Sequence, residues 1–177
     1  TLSGGGACFS AATGRIGSLT ITNYEFFLGW GWETNQLRAG DVFVRGTGKI
    51  RHLRNATSTN PIGGFFLECS NLTVDAGGEI NASGSGYPGG VGMREGSPSG
   101  YYGHGGTNSL TGGGGGYGGL GGASGNGAHG GTNYGNAGYP SLPGSGGGGA
   151  LDRYGGAGGG YVKIEAFGTV ILNGTNG

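Results

Sequence analysis

The sequence predicts an all-β protein with almost no helix, in which short strands form a parallel β-helix or solenoid and a large glycine-rich insertion adopts the polyglycine II conformation. Three observations predict this fold class. Short β-rich stretches separated by glycine corners recur along the chain, glycine recurs at every third position over most of residues 100–132, and no stretch has the period of an amphipathic helix. A sandwich of short strands is the alternative arrangement.

The first strand pattern begins at Leu19, where apolar residues and threonines alternate. From Tyr24 onward the apolar residues take the opposite parity, which predicts a bulge or corner near Asn23. Trp30 and Trp32 follow at a spacing that puts both rings on one face of a strand. They are candidate sugar contacts, and closing the end of a core that has few large side chains is the alternative role.

A unit of two short strands joined by a glycine corner occurs three times, in residues 41–50, 71–80 and 161–172. Such copies are typical of successive turns of a solenoid, each of which buries a narrow apolar column against the next. Because the second and third copies bracket the glycine-rich block, we expect that block to be one insertion between adjacent turns. The predicted organisation is a single domain with a strand-rich part at 1–83, the insertion at 84–160 and closing strands at 161–177.

Within the insertion, the three-residue period is that of a polyproline II-type helix, which glycine adopts as polyglycine II. This helix makes no internal hydrogen bonds, so its N–H and C=O groups need a neighbouring strand or water. One such helix over residues 100–130 would be roughly 95 Å long, whereas a compact chain of this length has a radius of gyration of roughly 16 Å. The segment is therefore predicted to fold back as a bundle, with turns at Ser109 and Ser124. A flexible linker is the alternative.

Composition and charge exclude several classes of function. The 177 residues include 52 glycines and 5 prolines, have a formal net charge of zero, and only 10% of them are charged. The few prolines and the Gly-Gly-X triplets exclude collagen. There is no basic patch that would indicate nucleic-acid binding, and no apolar run approaches the ~18 residues of a membrane span.

Two features favour an extracellular location. A disulfide between Cys8 and Cys69 would close a loop of about 60 residues and contribute about 4 kcal/mol of stability, and two buried thiols are the alternative. Four Asn-X-Ser/Thr sequons predict N-glycosylation, at Asn55, Asn71, Asn81 and Asn173. Together with the low charge, these features predict a secreted, disulfide-bonded glycoprotein.

Two stretches resemble the glycine-rich β-helical segments of large secreted and cell-surface proteins of eukaryotes. They are residues 72–84, which read LTVDAGGEINASG, and residues 158–174, which run from GGGYVKIEA to VILNG. The resemblance covers about residues 41–177 and implies an extracellular structural or adhesive role, with no catalytic residues to carry over. The Gly-Gly-X triplets are also similar to the polyglycine II sandwiches of phage tail-fibre adhesins and to small ice-binding glycine proteins.

Candidate catalytic and metal-binding groups are sparse. The three histidines, His52, His104 and His129, lack metal-ligand spacing, so we expect no metal and no cofactor. Asp41 and Asp75 occupy similar places beside strands, and they would form a carboxylate pair of the glycosidase kind if they stacked in neighbouring turns. A solvated turn aspartate is the commoner case, and the sequence predicts a protein that is not an enzyme.

These observations predict a structural module of an extracellular assembly, such as a filament, a surface hair or a matrix, that associates with copies of itself. Strand edges and bare glycine backbones need partners, which a polymer supplies. A carbohydrate- or receptor-binding adhesin module is the second hypothesis, with Trp30, Trp32, Tyr117 and Tyr134 as candidate ligand contacts. Ice binding is the third. We expect no nucleic-acid partner and no insertion into a membrane.

Overall fold

The structure is a computed structural model that describes residues 7–9, 15–28, 36–52, 64–90, 111–150 and 153–174. The chain divides into two compact units. We call the first the strand unit (Thr1–Leu53, Gly63–Ala82 and Val162–Gly177) and the second the glycine unit (Arg54–Ile62 and Ser83–Tyr161). Along the chain, the long segment of the glycine unit begins and ends within one residue of the predicted insertion.

The described residues of the strand unit form nine short strands, and no helix occurs in the described part of the chain. The strands are β1 (Ala7–Phe9), β2 (Ile16–Thr22), β3 (Glu25–Leu28), β4 (Gln36–Arg45), β5 (Lys49–His52), β6 (Phe65–Val74), β7 (Glu79–Asn81), β8 (Val162–Ala166) and β9 (Val170–Leu172). The predicted all-β class is confirmed.

From β1 to β8, successive strands alternate between two sheets, whereas β9 lies in the same sheet as β8, and every pairing among the described strands is parallel. Sheet A has the order β2-β4-β6-β8, and β9 also pairs with β6. Sheet B has the order β1-β3-β5-β7. The register stacks equivalent residues of successive strands in columns, for example Leu19, Val42, Leu72 and Val170 in sheet A.

The core of the strand unit consists of these inward-facing columns. Alternate residues of the strands are buried, as the two-residue period of a strand requires. Within the long strands the inward parity changes once: Ala39 and Val42 are both buried in β4, and Cys69 and Leu72 are both buried at the matching positions of β6. Because the change falls at the same register position in both strands, the columns stay continuous through it.

The corners between the two sheets repeat from strand to strand. Gly48 donates its backbone N–H to the carbonyl of Arg45 at 2.8 Å, and Gly78 donates to Asp75 at 2.9 Å in the equivalent turn. Asn23 adopts a left-handed conformation with φ 54°, and it lies between β2 and β3 where the sequence predicts a bulge or corner. The Asn23 Oδ1 accepts the backbone N–H of Thr47 at 3.0 Å, which ties one corner to the next.

The glycine unit is held by backbone hydrogen bonds between segments that lack regular secondary structure. Three segments, at 85–90, 143–150 and 153–160, form a closed ring of bonds, and a second ring lies three residues later in the first two segments and three residues earlier in the third. The first ring is Gly144 N–H to Gly159 O (2.8 Å), Gly158 N–H to Tyr87 O (3.0 Å) and Tyr87 N–H to Gly144 O (2.9 Å). The second is Gly147 N–H to Gly156 O (2.9 Å), Gly155 N–H to Gly90 O (2.8 Å) and Gly90 N–H to Gly147 O (2.9 Å).

A further ring joins three segments within residues 111–134. Its bonds are Gly114 N–H to Gly122 O (2.8 Å), Gly121 N–H to Gly131 O (2.9 Å) and Gly131 N–H to Gly114 O (2.9 Å). The chain turns after Ser124, where the Gly127 N–H bonds the Ser124 carbonyl at 3.1 Å and Gly127 has φ 85°. The predicted turn at Ser109 lies outside the described residues.

Candidate functional site

The candidate site is the edge of sheet A formed by β8 and β9, which we call the open edge. By register, Ile164 continues the inward column of Leu67, and Leu172 continues that of Val74. Leu67 and Val74 are 0% and 5% exposed, whereas Ile164 and Leu172 are 38% and 67% exposed. The open edge therefore presents core-type side chains to solvent, and Val170 and the corner residue Phe167 extend this apolar surface.

The backbone of the open edge also has no second neighbour among the described strands. Both β8 and β9 pair with β6, and among the described strands none pairs with their other side. An exposed strand edge of this kind is a template for pairing with another chain, and proteins usually blunt it with charge, proline, a bulge or a covering segment. The open edge carries one lysine and one glutamate, and the side chains between and beyond them are apolar.

The outer face of the strand unit carries ion pairs along neighbouring strands. On the open edge itself, Lys163 contacts Glu165 at 2.7 Å and lies 4.7 Å from the centre of the Phe66 ring. The remaining pairs are Arg38–Glu68 (3.4 Å), Arg45–Asp75 (3.4 Å), Lys49–Glu79 (3.0 Å) and Arg51–Glu25 (3.1 Å). A hydrogen bond from the Asn81 side chain, together with Lys49, lowers the pKa of Glu79. Exposed pairs of this kind contribute little stability, so they mainly fix the charge pattern of the surface.

The predicted ligand contacts Tyr117 and Tyr134 lie together in the glycine unit. Their rings are 5.1 Å apart in an edge-on arrangement, and Tyr87 lies 6.0 Å from Tyr134 on the other side. The Tyr134 hydroxyl donates to the Pro143 carbonyl, and the Tyr117 hydroxyl accepts the backbone N–H of Ser141 at 3.1 Å. Burial, with a smaller contribution from the two neighbouring tyrosines, raises the pKa of Tyr134.

These contacts make Tyr117 and Tyr134 an internal brace, because the two hydroxyl groups that would orient a ligand already bond the backbone. The other two predicted ligand contacts, Trp30 and Trp32, lie outside the described residues. Among the described residues of the glycine unit, the exposed large apolar and aromatic side chains are Leu120, Tyr139 and Tyr154, and the sequence did not predict the two tyrosines as ligand contacts.

Three of the four sequon asparagines are described. Asn71 donates its amide N–H to the Asp41 carboxylate at 2.7 Å, and Asn81 donates to Glu79. Both asparagines are half-buried, whereas Asn173 is exposed. Glycosylation stays a prediction, and Asn173 is the described position best presented to solvent. Asn55 lies outside the described residues.

The predicted disulfide is not formed in this structure. Cys69 is a free, fully buried thiol. Cys8 lies in β1, three strand spacings from β7 in sheet B, and β7 follows β6 directly in the chain. Three spacings are about 14 Å, whereas a disulfide needs Cα atoms within about 7 Å of each other. The alternative that the sequence left open for Cys69, a buried thiol, is the one observed.

Burial raises the pKa of the Cys69 thiol, and a thiolate is the reactive form. We therefore expect Cys69 in the folded protein to react slowly with a thiol reagent at mildly alkaline pH. Once the protein is unfolded in denaturant, Cys69 should react rapidly, and no reductant should be needed because the thiol is free. A Cys8→Ser variant leaves Cys69 as the one thiol to titrate. Rapid labelling of that variant in its folded state would contradict the buried position.

The carboxylate pair considered for catalysis does not form. The register places Asp41 opposite Asn71, and Asp75 instead pairs with Arg45 at 3.4 Å. Asp41 and Asp75 thus belong to separate contacts, four register positions apart along sheet A. The part of the chain that the structure describes contains no group of three or more side chains able to hold a metal ion.

Comparison of the chain with protein-family models, with curated proteins and with solved structures finds no match. Within the described ranges, no helix is long and apolar enough to cross a membrane. The candidate site therefore rests on the geometry of this molecule.

Sequence reasoning missed the open edge. Residues 162–172 carry the same short apolar pattern as the strands before them, and that pattern predicts a buried strand. The signal that could have identified an edge is the Lys163–Glu165 pair, because outward charges are one of the ways in which edge strands are protected.

Proposed function

We propose that this protein is a structural module of an extracellular assembly and that it associates with copies of itself through the open edge. One observation carries the proposal. Side chains of β8 and β9 that continue the core columns are 38% to 67% exposed, and these two strands have no described neighbour on one side. Exposed contiguous apolar surface is typical of interaction sites, and a free strand edge adds backbone donors and acceptors to it.

The same proposal interprets the strand unit as turns of a β-helix and the glycine unit as a polyglycine II bundle. The alternation of strands between two parallel sheets, with a corner repeated from turn to turn, supports the first interpretation. Hydrogen-bonded rings that recur every three residues support the second, since three residues make one turn of polyglycine II. Both are rigid, repetitive arrangements that suit a scaffold.

An extracellular location remains part of the proposal and rests on the sequons and on the low charge. Asn173, exposed next to the open edge at β9, is the position to examine by mass spectrometry for an attached glycan. The resemblance to glycine-rich segments of secreted structural proteins points the same way.

The test is the mass of the purified protein in solution. We expect light scattering to report a mass that rises with concentration for the native chain. Leu172→Asp places a charge on the apolar surface of the open edge, at the last residue of β9, where the side chain is 67% exposed, so it is expected to weaken association with little effect on folding. The matched control is Leu120→Asp, at a 77% exposed leucine of the glycine unit, which should associate like the native chain. A native chain that stays monomeric at high concentration would contradict the proposal.

A carbohydrate- or receptor-binding role is the second candidate, and the exposure of Tyr139 and Tyr154 favours it. Exposed aromatic rings are suited to stacking on sugar faces. Binding to a glycan array that is lost in a Tyr139→Ala, Tyr154→Ala double variant would support this role. The absence of any binding by the native chain would contradict carbohydrate binding.

A further inference from the structure

We infer that the partner at the open edge is a second copy of this chain, related by a two-fold axis through Ile164, so that β8 of one copy pairs antiparallel with β8 of the other. The inference rests on the proposed function, because it specifies the geometry of the self-association. It follows from three features of the strand unit: the difference between the two edges of sheet A, the charges of β8, and its apolar residues.

The two edges of sheet A are not alike, which favours a two-fold contact over simple head-to-tail stacking. At the β2 edge the inward residues Leu19 and Ile21 are 6% and 0% exposed, so that end of the core is already covered. At the β8 and β9 edge the inward side chains Ile164, Val170 and Leu172 are exposed, and Val162 and Ala166 are partly buried. Head-to-tail stacking would set the open edge against a covered one, whereas a two-fold contact sets open edge against open edge. Two-fold contacts between identical surfaces are also the commonest in homo-oligomers.

The charges of β8 are self-complementary for antiparallel pairing. Lys163 and Glu165 flank Ile164, and both lie on the outer face because their register partners are the outward residues Phe66 and Glu68. An antiparallel pair centred on Ile164 places Lys163 of each copy directly opposite Glu165 of the other. Opposite charges at directly facing positions stabilise strand pairs, and like charges there destabilise them.

The inner face of β8 matches the same register. Ile164 of one copy faces Ile164 of the other, and Val162 faces Ala166, so apolar residues meet apolar residues on the core side. By register these three residues follow the buried Phe65, Leu67 and Cys69. The contact therefore continues the core of one copy into that of the other, and it makes sheet A continuous across the pair.

Charge exchange tests the two-fold register. Lys163→Glu and Glu165→Lys each place like charges opposite each other twice in a homodimer, so we expect each variant alone to associate at least about tenfold more weakly than the native chain. An equimolar mixture of the two variants restores opposite charges at all four positions and should recover near-native association. The double variant, with both charges exchanged, should also associate like the native chain.

The outcomes separate this inference from the proposed function. If the native chain does not self-associate, both are wrong. If it associates but the mixture fails to recover association, the two-fold register is wrong and the proposed function stands. Melting curves of the two single variants, expected to stay close to native because Lys163 and Glu165 are about half exposed, exclude misfolding as the cause.

Oxidative cross-linking is an independent test of the position of the two-fold axis. Residue 164 faces itself across the two-fold axis, so Ile164→Cys should form a symmetric disulfide, because directly opposed residues in an antiparallel pair lie about 5 Å apart. Val162→Cys is the control, since residue 162 faces residue 166 and cannot reach its own copy. Equal cross-linking of both variants, or none of Ile164→Cys in an associating sample, would overturn the inference.

Discussion

Replacing Gly121 by alanine is expected to lower the free energy of unfolding of the glycine unit by about 3 kcal/mol. A Cβ at Gly121 would overlap the carbonyl group of Gly114 and the backbone nitrogen of Gly131. All of these atoms are backbone, so they cannot move aside as a flexible side chain would. The substitution would therefore separate two segments that a ring of hydrogen bonds holds together.

The neighbouring residue provides the matched control. A Cβ at Gly122 meets no heavy atom within 4 Å, and alanine reduces the conformational entropy of the unfolded chain, so Gly122→Ala is expected to be neutral or to stabilise by up to about 1 kcal/mol. Gly158→Ala and Gly159→Ala form an equivalent pair in the rings formed by residues 85–90, 143–150 and 153–160, with the first position blocked by the Gly144 carbonyl and the second open.

Chemical denaturation followed by circular dichroism measures these differences. If Gly121→Ala and Gly122→Ala proved equally stable, the close backbone packing of the glycine unit would be wrong, and the segment would behave as the flexible linker that composition alone allows.

Phe65→Ala is expected to destabilise the strand unit by about 4 kcal/mol. The Phe65 ring is fully buried in the core between the sheets, with the His52 ring 6.2 Å away. Its removal leaves a cavity that the structure cannot close easily, because parallel pairing to β4 and β8 on its two sides holds β6 in place. For a domain of this size such a loss is a large part of the total stability.

Phe66→Ala is the control for this substitution, since it removes the same side chain one residue along the same strand. Phe66 faces outward and contacts the Lys163 ammonium, so its loss is expected to cost about 1 kcal/mol or less. Denaturation midpoints of the two variants should therefore differ widely. A larger effect at Phe66 than at Phe65 would show that the inward parity of β6 is assigned to the wrong face.

Much of the strand unit could be predicted from the sequence because strand signals are local. The repeated units at 41–50 and 71–80 coincide with β4 to β7, and the parity change near Asn23 coincides with a corner. Alternation and glycine corners involve adjacent residues, so they can be recognised without knowing which strands are neighbours.

The candidate site was beyond such reasoning because it depends on which strands lie next to each other. Asp41 and Asp75 occupy similar places in the sequence, yet sheet register gives them different partners, Asn71 and Arg45. The predicted pairing of Cys8 with Cys69 failed for the same reason, since strand order separates β1 from β6.

The sequence by itself determined that this chain forms short strands with glycine corners and a segment of three-residue period, because both patterns depend only on residues that are close together in the chain. Tertiary structure alone decided that β8 is an edge while β6 is central, and that Gly121 must be glycine while Gly122 need not be. The physical reason is that the exposure of a strand and the close approach of two backbone segments depend on residues that are distant in the chain. The local sequence does not specify which distant residues these are.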